Sequence, residues 1–132
     1  MPALSYSKQT IKKHNFKNKI RNGIKIHTIR KRKTPIKQGD ILYHFENWRT
    51  PVVNQFYESK CCYVRNIIII ITKTKFPYIT VFIDGRSIKP LSIYLLAKND
   101  GFDHLQDFID FFDQGAPFSG QIIGWKENIN YE

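Results

Sequence analysis

Gly23-Ile24-Lys25-Ile26-His27-Thr28-Ile29-Arg30-Lys31 is the stretch on which the reading of the fold turns. It opens on a glycine, which suits the end of a helix, where a left-handed backbone is wanted. It then sets Ile24, Ile26 and Ile29 against Lys25, His27, Thr28 and Arg30. Such alternation predicts a strand with one apolar, buried face and one chemically rich face. The bland alternative is a basic strand whose polar residues do nothing but solvate an exposed face. Register adds a constraint. In a flat strand Lys25 and Thr28 fall on opposite faces. If they act together, the backbone bends, bulges or begins its strand after Lys25.

Upstream, Ala3 to Ser7 reads as a short first strand, and Thr10 as the cap of a helix over about 11–22. Ile11, Phe16 and Ile20 form its apolar stripe, and Lys12, Lys13, Lys17, Lys19 and Arg21 make the rest basic. Downstream, Lys31-Arg32-Lys33-Thr34-Pro35-Ile36-Lys37 is a basic loop, its proline excluding an inner strand. Gly39-Asp40 turns the chain into a strand over 41–45, and a loop follows with Trp48-Arg49. Strands are expected over 56–57 and 61–71, where five consecutive isoleucines, Ile67 to Ile71, imply burial on both faces or a strand crossing the fold. A polar connection over 72–76 leads to a partner strand over 78–83, closed by Asp84-Gly85. Pro90 opens a helix to Lys98, Asn99-Asp100-Gly101 breaks it, and a second helix runs about Asp103 to Asp113. Asp103 suits the positive end of that helix. Phe118 to Trp125 is the closing strand, and the last residues are expected to be loose.

The chain has 132 residues, the length of one domain, with a core expected over about 4–126. Its 42% hydrophobic and 14% aromatic content can fill that core. No apolar run is long enough to span a bilayer, so no membrane partner is expected. The N-terminus lacks a signal-peptide pattern, and the two unpaired cysteines, Cys61 and Cys62, fit a reducing cytoplasm. The net charge of +10 and pI near 9.7 favour polyanionic partners, nucleic acid first. Lys and Arg crowd residues 8–37, where no acid occurs, while Asp100, Asp103, Asp107, Asp110 and Asp113 gather late. A basic lobe beside an acidic helix is the asymmetry of a binding surface. Cys61 and Cys62 are adjacent, so a strand would send one inward and one outward rather than pair them. No metal signature, phosphate-cradling glycine loop or Ser-His-Asp arrangement is present, and no cofactor is expected.

Several pieces together resemble one family. Gly23-x-Lys25-x-x-Thr28-Ile29-Arg30 followed by Gly39-Asp40-Ile41-Leu42 looks like the opening motif of ASCH domains. Val81-x-Ile83-Asp84-Gly85, Leu96-Ala97-x-x-Asp100-Gly101-Phe102 and Phe118-x-Gly120-x-Ile122-Ile123-x-Trp125 resemble later parts of that family, in order and over nearly the whole chain. The resemblance implies an α+β fold, a small mixed PUA-like β-barrel with helices packed outside. It also implies association with RNA. Some small ASCH proteins are amidohydrolases of acylated cytidine that need a lysine, a threonine and a glutamate. Those positions fall on Lys25, Thr28 and Asp100, the acid here being one methylene shorter. The implied roles are Thr28 as nucleophile, Lys25 as its base and Asp100 as acid toward the leaving nitrogen.

Three functions are therefore open. An RNA or modified-nucleotide binding module would use Lys25, His27, Arg30, Lys31, Arg32 and Lys33, with Trp48 and Arg49 as a stacking and phosphate pair. An amidohydrolase would act on an N4-acylated cytidine. A ribonuclease of the same family would cut single strands. The charge favours a polymer; the pairing of Lys25 with Thr28 favours chemistry.

Overall fold

In the computed structural model, which describes residues 2–72 and 78–132, the single helix expected near the start is two. Helix α1 is Lys8–Lys13 and α2 is Phe16–Arg21. Ser7, not Thr10, is the cap: its Oγ accepts from Thr10 N at 3.2 Å, and Thr10 lies buried within the first turn. Asn15, between the helices, adopts φ 56°, a left-handed conformation that asparagine tolerates better than most residues. The break reorients α2, and Phe16 and Ile20 enter the core. Gly23 ends α2 with φ 74°. Gly23 N donates to Ile20 O at 3.2 Å and Ile24 N to Lys19 O at 2.8 Å, the paired bonds of a Schellman motif.

This turn settles the register. Strand β2 is His27–Arg30, so Lys25 lies before it and is not bound by the two-residue period. Lys25 and Thr28 face one cavity without a bulge. The expected partition of polar and apolar faces is overturned. Ile24 is 55% exposed, whereas Lys25 and His27 are fully buried and Thr28 nearly so. The physical reason is that the polar side chains find partners inside, which burial demands of them, while Ile24 is left on the outside of the turn.

The architecture is α+β, with two sheets and four helices among the described residues. The first sheet places β1 (Ala3–Ser5) parallel to β3 (Ile41–Glu46), and β3 antiparallel to β4 (Asn54–Lys60). The second takes the order β2, β8 (Phe118–Gly124), β5 (Tyr63–Thr72), β6 (Tyr78–Ile83) and β7 (Arg86–Ser87). Strand β4 passes almost directly into β5 at Cys61, which is buried, and Cys62, which is exposed. The expected polar connection lies outside the described residues, apart from Thr72 at the end of β5. The isoleucine run is buried on one face rather than two: Ile67 and Ile69 are 1% exposed, Ile68 40%. The strand pairing gives two sheets among the described residues.

Asp84 and Gly85, both with positive φ, make the tight turn into β7. Helix α3 is Pro90–Asn99, opened by its proline, and α4 is Leu105–Phe112. Asp103 falls just before α4, next to its N-terminus, and is ion-paired to Lys19 at 2.9 Å. Phe108 and Phe112 of α4 join Phe16 and Phe102 in the core. The C-terminal residues are not loose at their end: Tyr131 is 5% exposed and part of the core. Among the described residues no helix is long and apolar enough to cross a membrane.

Candidate functional site

Lys25 is the centre of the site. Its ammonium donates to the backbone oxygen of Asp100 at 2.6 Å and to Asp100 Oδ1 at 3.2 Å. It also lies 4.3 Å from the centre of the Phe16 ring, within cation–π range. Burial pushes its pKa down to about 8, because a charged amine loses hydration there. The Asp100 carboxylate opposes that shift, and the Arg30 guanidinium adds to it.

Asp100 stands where α3 ends, 3% exposed, and Gly101 follows with φ 99°. This Asp-Gly step does more than stop a helix: it turns the carboxylate back toward β2. Asp100 Oδ1 is also 2.9 Å from His27 Nδ1, and His27 Nε2 is 2.8 Å from the Tyr131 hydroxyl. Asn99 Nδ2 donates to that same hydroxyl oxygen at 3.0 Å.

Thr28 and Arg30 share a face of β2, as residues two apart must. Thr28 Oγ1 accepts from Arg30 Nε at 3.3 Å. The guanidinium lies 4.7 Å from the centre of the Tyr6 ring. The Tyr6 hydroxyl is 2.9 Å from His44 Nδ1, and His44 Nε2 is 2.8 Å from Ser59 Oγ. Burial pushes His44 down to about 3, with Arg30 and Lys25 adding to the effect. The imidazole is neutral at ordinary pH, so one ring nitrogen donates and the other accepts, and the Tyr6 and Ser59 hydroxyls take the complementary roles. Burial pushes the Tyr6 phenol well above its usual range, so it keeps its proton.

These groups surround a cavity of about 300 Å³, lined by Lys25, Thr28, Arg30, Lys31, Asp100 and Tyr6 together with Phe16, Phe102, Phe111, Phe112 and Phe118. The lining mixes cationic and hydroxylic groups with aromatic rings, the Phe16 ring lying against the Lys25 ammonium. A second hollow of about 670 Å³ shares Ser5, Tyr6 and Ser7 with the first and is lined by Trp48. Trp48 packs on Phe45 with ring centres 4.8 Å apart and stays 38% exposed.

The residues anticipated from sequence thus separate. Lys25, Thr28 and Asp100 meet at one cavity, with Arg30 and Lys31 beside them. His27 is fully buried behind Asp100, where it holds the carboxylate rather than facing a polyanion. Arg32 Nη1 donates to Ala3 O at 3.0 Å, pinning the loop to β1. Lys33 is exposed, as is Arg49, which has φ 62°, and neither residue lines either hollow. Sequence reasoning missed Tyr6, Lys19 and Tyr131. Lys19 reads as one more cation on a basic helix, yet it is buried, donating to Gly101 O at 2.6 Å. Tyr131 carries no local pattern that marks it.

Among the described residues no cluster of His, Cys, Asp or Glu is grouped as a metal site would need. Comparisons with family models, with curated proteins and with solved structures found no match in any of the three.

Proposed function

We propose that this chain is an amidohydrolase of ASCH type that removes the acyl group from an N4-acylated cytidine. The observation that carries the reading is the convergence of Lys25, Thr28, Arg30 and Asp100 on one cavity of about 300 Å³. A lysine that only gripped a phosphate backbone would stand in solvent. This one is fully buried and lines the same cavity as a threonine. Aromatic side chains in the same lining supply surfaces on which a base can stack.

The chemistry follows from the groups. Neutral Lys25 takes the Thr28 hydroxyl proton, and Oγ1 attacks the acyl carbonyl carbon. The Arg30 guanidinium, already bonded to Oγ1, stabilises the negative oxygen of the tetrahedral intermediate. Collapse breaks the C–N bond, and the exocyclic amine takes the proton that Lys25 now carries. Asp100 has two donors on Oδ1. We therefore assign it the role of steadying the Lys25 ammonium, with Lys25 as the proton donor. Water then hydrolyses the acyl-threonine ester, which restores the hydroxyl and releases the carboxylic acid.

In the same reading the two sheets are the walls of a PUA-like barrel. Supporting this, Cys61 N donates to Asp40 O and Cys62 N to Gly124 O, both at 2.7 Å, so the junction of β4 and β5 is tied to segments on either side.

The test is hydrolysis of N4-acetylcytidine by the protein beside Thr28→Ala and Lys25→Ala. Turnover lost in both folded variants supports the assignment. Absence of turnover in the wild type at high enzyme concentration removes it for this substrate. A second reading, an RNA-binding module, is favoured by the neighbouring hollow with exposed Trp48. Its mark is RNA affinity that falls steeply with salt and weakens in Trp48→Ala.

A further inference from the structure

The hydrogen bonds around His27 run in one direction. Asn99 Nδ2 is a donor only, and it donates to the Tyr131 hydroxyl oxygen at 3.0 Å. The hydroxyl's own proton is free to go to its other partner, His27 Nε2, at 2.8 Å, and the Asp100 carboxylate, which only accepts, calls for the ring proton on Nδ1. An imidazole nitrogen that accepts leaves the ring proton on the other nitrogen. Nδ1–H points at Asp100 Oδ1, 2.9 Å away. The same oxygen takes the Lys25 ammonium at 3.2 Å. His27 is fully buried, Asp100 is 3% exposed and Tyr131 is 5% exposed, so water does not substitute for any member of this chain.

We propose that Tyr131 is a positioning residue. Its hydroxyl holds His27 as the Nδ1-protonated tautomer, and that tautomer fixes the Asp100 carboxylate as the partner of Lys25. A residue 104 positions away in sequence thereby sets the geometry of the base without touching the cavity, which it does not line. The inference deepens the amidohydrolase reading and rests on it only for the effect on turnover. The tautomer and the ion pair exist whatever the substrate is.

Lys25 is faced by charged or titratable groups from several elements: Asp100 at the end of α3, His27 and Arg30 from β2, and Lys19 from α2. Of these, Asp100 alone favours the ammonium, so its orientation is what Tyr131 controls. When the carboxylate turns away, Lys25 gives up its proton more readily.

The experiment is nuclear magnetic resonance on the full chain, with ¹⁵N in histidine and a label at the lysine side chains. Wild-type His27 is expected to be protonated on Nδ1. An Nε2-protonated ring in the wild type overturns the proposal before any variant is made. Tyr131→Phe keeps the ring and removes the hydroxyl. The expected result is His27 sampling both tautomers, Lys25 titrating at lower pH than in the wild type, and the rising limb of the turnover–pH profile moved to lower pH by the same amount. A folded Tyr131→Phe protein with the wild-type tautomer and the wild-type Lys25 titration makes Tyr131 a packing residue and overturns the proposal. A wild type inactive on N4-acetylcytidine would sink the hydrolase reading while leaving both resonance measurements decisive, so the two ideas fail separately.

Discussion

Lys25 and Lys19 hold consecutive carbonyls of one turn: Lys25 Nζ lies 2.6 Å from Asp100 O, and Lys19 Nζ lies 2.6 Å from Gly101 O. The carbonyls at the end of a helix lack intrahelical donors and carry partial negative charge. Two buried ammonium groups satisfy them, and the turn that results is what presents the Asp100 side chain to β2.

Gly101 is the hinge of this arrangement, and its replacement by alanine should damage both fold and site. Its φ of 99° is strained for any L side chain. A Cβ there would stand 2.9 Å from Phe16 Cε1 and 3.1 Å from Lys25 Cδ. Gly101→Ala is expected to lose about 2 kcal/mol or more of stability, read as a lower denaturation midpoint, and to displace the Lys25 ammonium, read as a changed Lys25 titration.

The proposed base gives the pH profile a direction. With its pKa near 8, Lys25 is about one tenth neutral at pH 7. Turnover should rise tenfold per unit below pH 8 and level off above it. A flat profile between pH 6 and 9 would exclude Lys25 as the base.

Arg30 is assigned the developing oxyanion. Arg30→Lys keeps the charge but loses the planar fork that reaches Thr28 Oγ1 and lies over Tyr6. The expected outcome is kcat lower by about 10²–10³-fold, with KM moved much less. Equal effects on both constants would make Arg30 a substrate-binding group instead.

His44 makes the fold sensitive to acid. Above the unfolded pKa of about 6.5 the imidazole is neutral in both states and costs nothing. Below it the unfolded chain takes a proton that the folded chain refuses until about pH 3. Stability should therefore fall as pH drops from 6.5 toward 3, by roughly 1.4 kcal/mol per unit from this group. His14, also pushed down by burial, adds in the same sense, so the informative quantity is a difference. His44→Gln should be less stable at pH 7, where Tyr6 and Ser59 lose their partner, yet show a shallower loss in acid. Parallel curves for the two proteins would refute this.

The sequence was legible where local chemistry decides the structure. Gly23, Pro90 and the Asp84-Gly85 step each sit at the boundary their backbone preference predicts. Lys25, Thr28 and Asp100 were legible as a group through a motif resemblance. It was not legible that Lys25 and His27 would be buried and Ile24 exposed. Hydrophobic patterning assumes that polar side chains seek water, and it fails where each one has a partner from a distant segment. Asn15 hid the break between α1 and α2, since one left-handed residue leaves no mark on periodicity. Tyr131 and Lys19 went unseen because their importance lies in bonds to His27 and to the turn after α3, partners that no window along the chain contains.

The bonds that complete this site also impose an order of assembly. Lys25 and His27 leave the ribosome long before Asp100, which lies 75 and 73 positions further on, and His27 waits 104 positions for Tyr131. Until then an amine and an imidazole destined for a dry interior have only water as a partner. Contacts so distant in sequence are slow to close. The nascent chain can form α1, α2 and the β3–β4 hairpin early, but β2 gains its partner strand β8 only after residue 118 has been made. Maturation of the site is therefore a late event in synthesis, and a truncated chain would expose the polar centre of its own core.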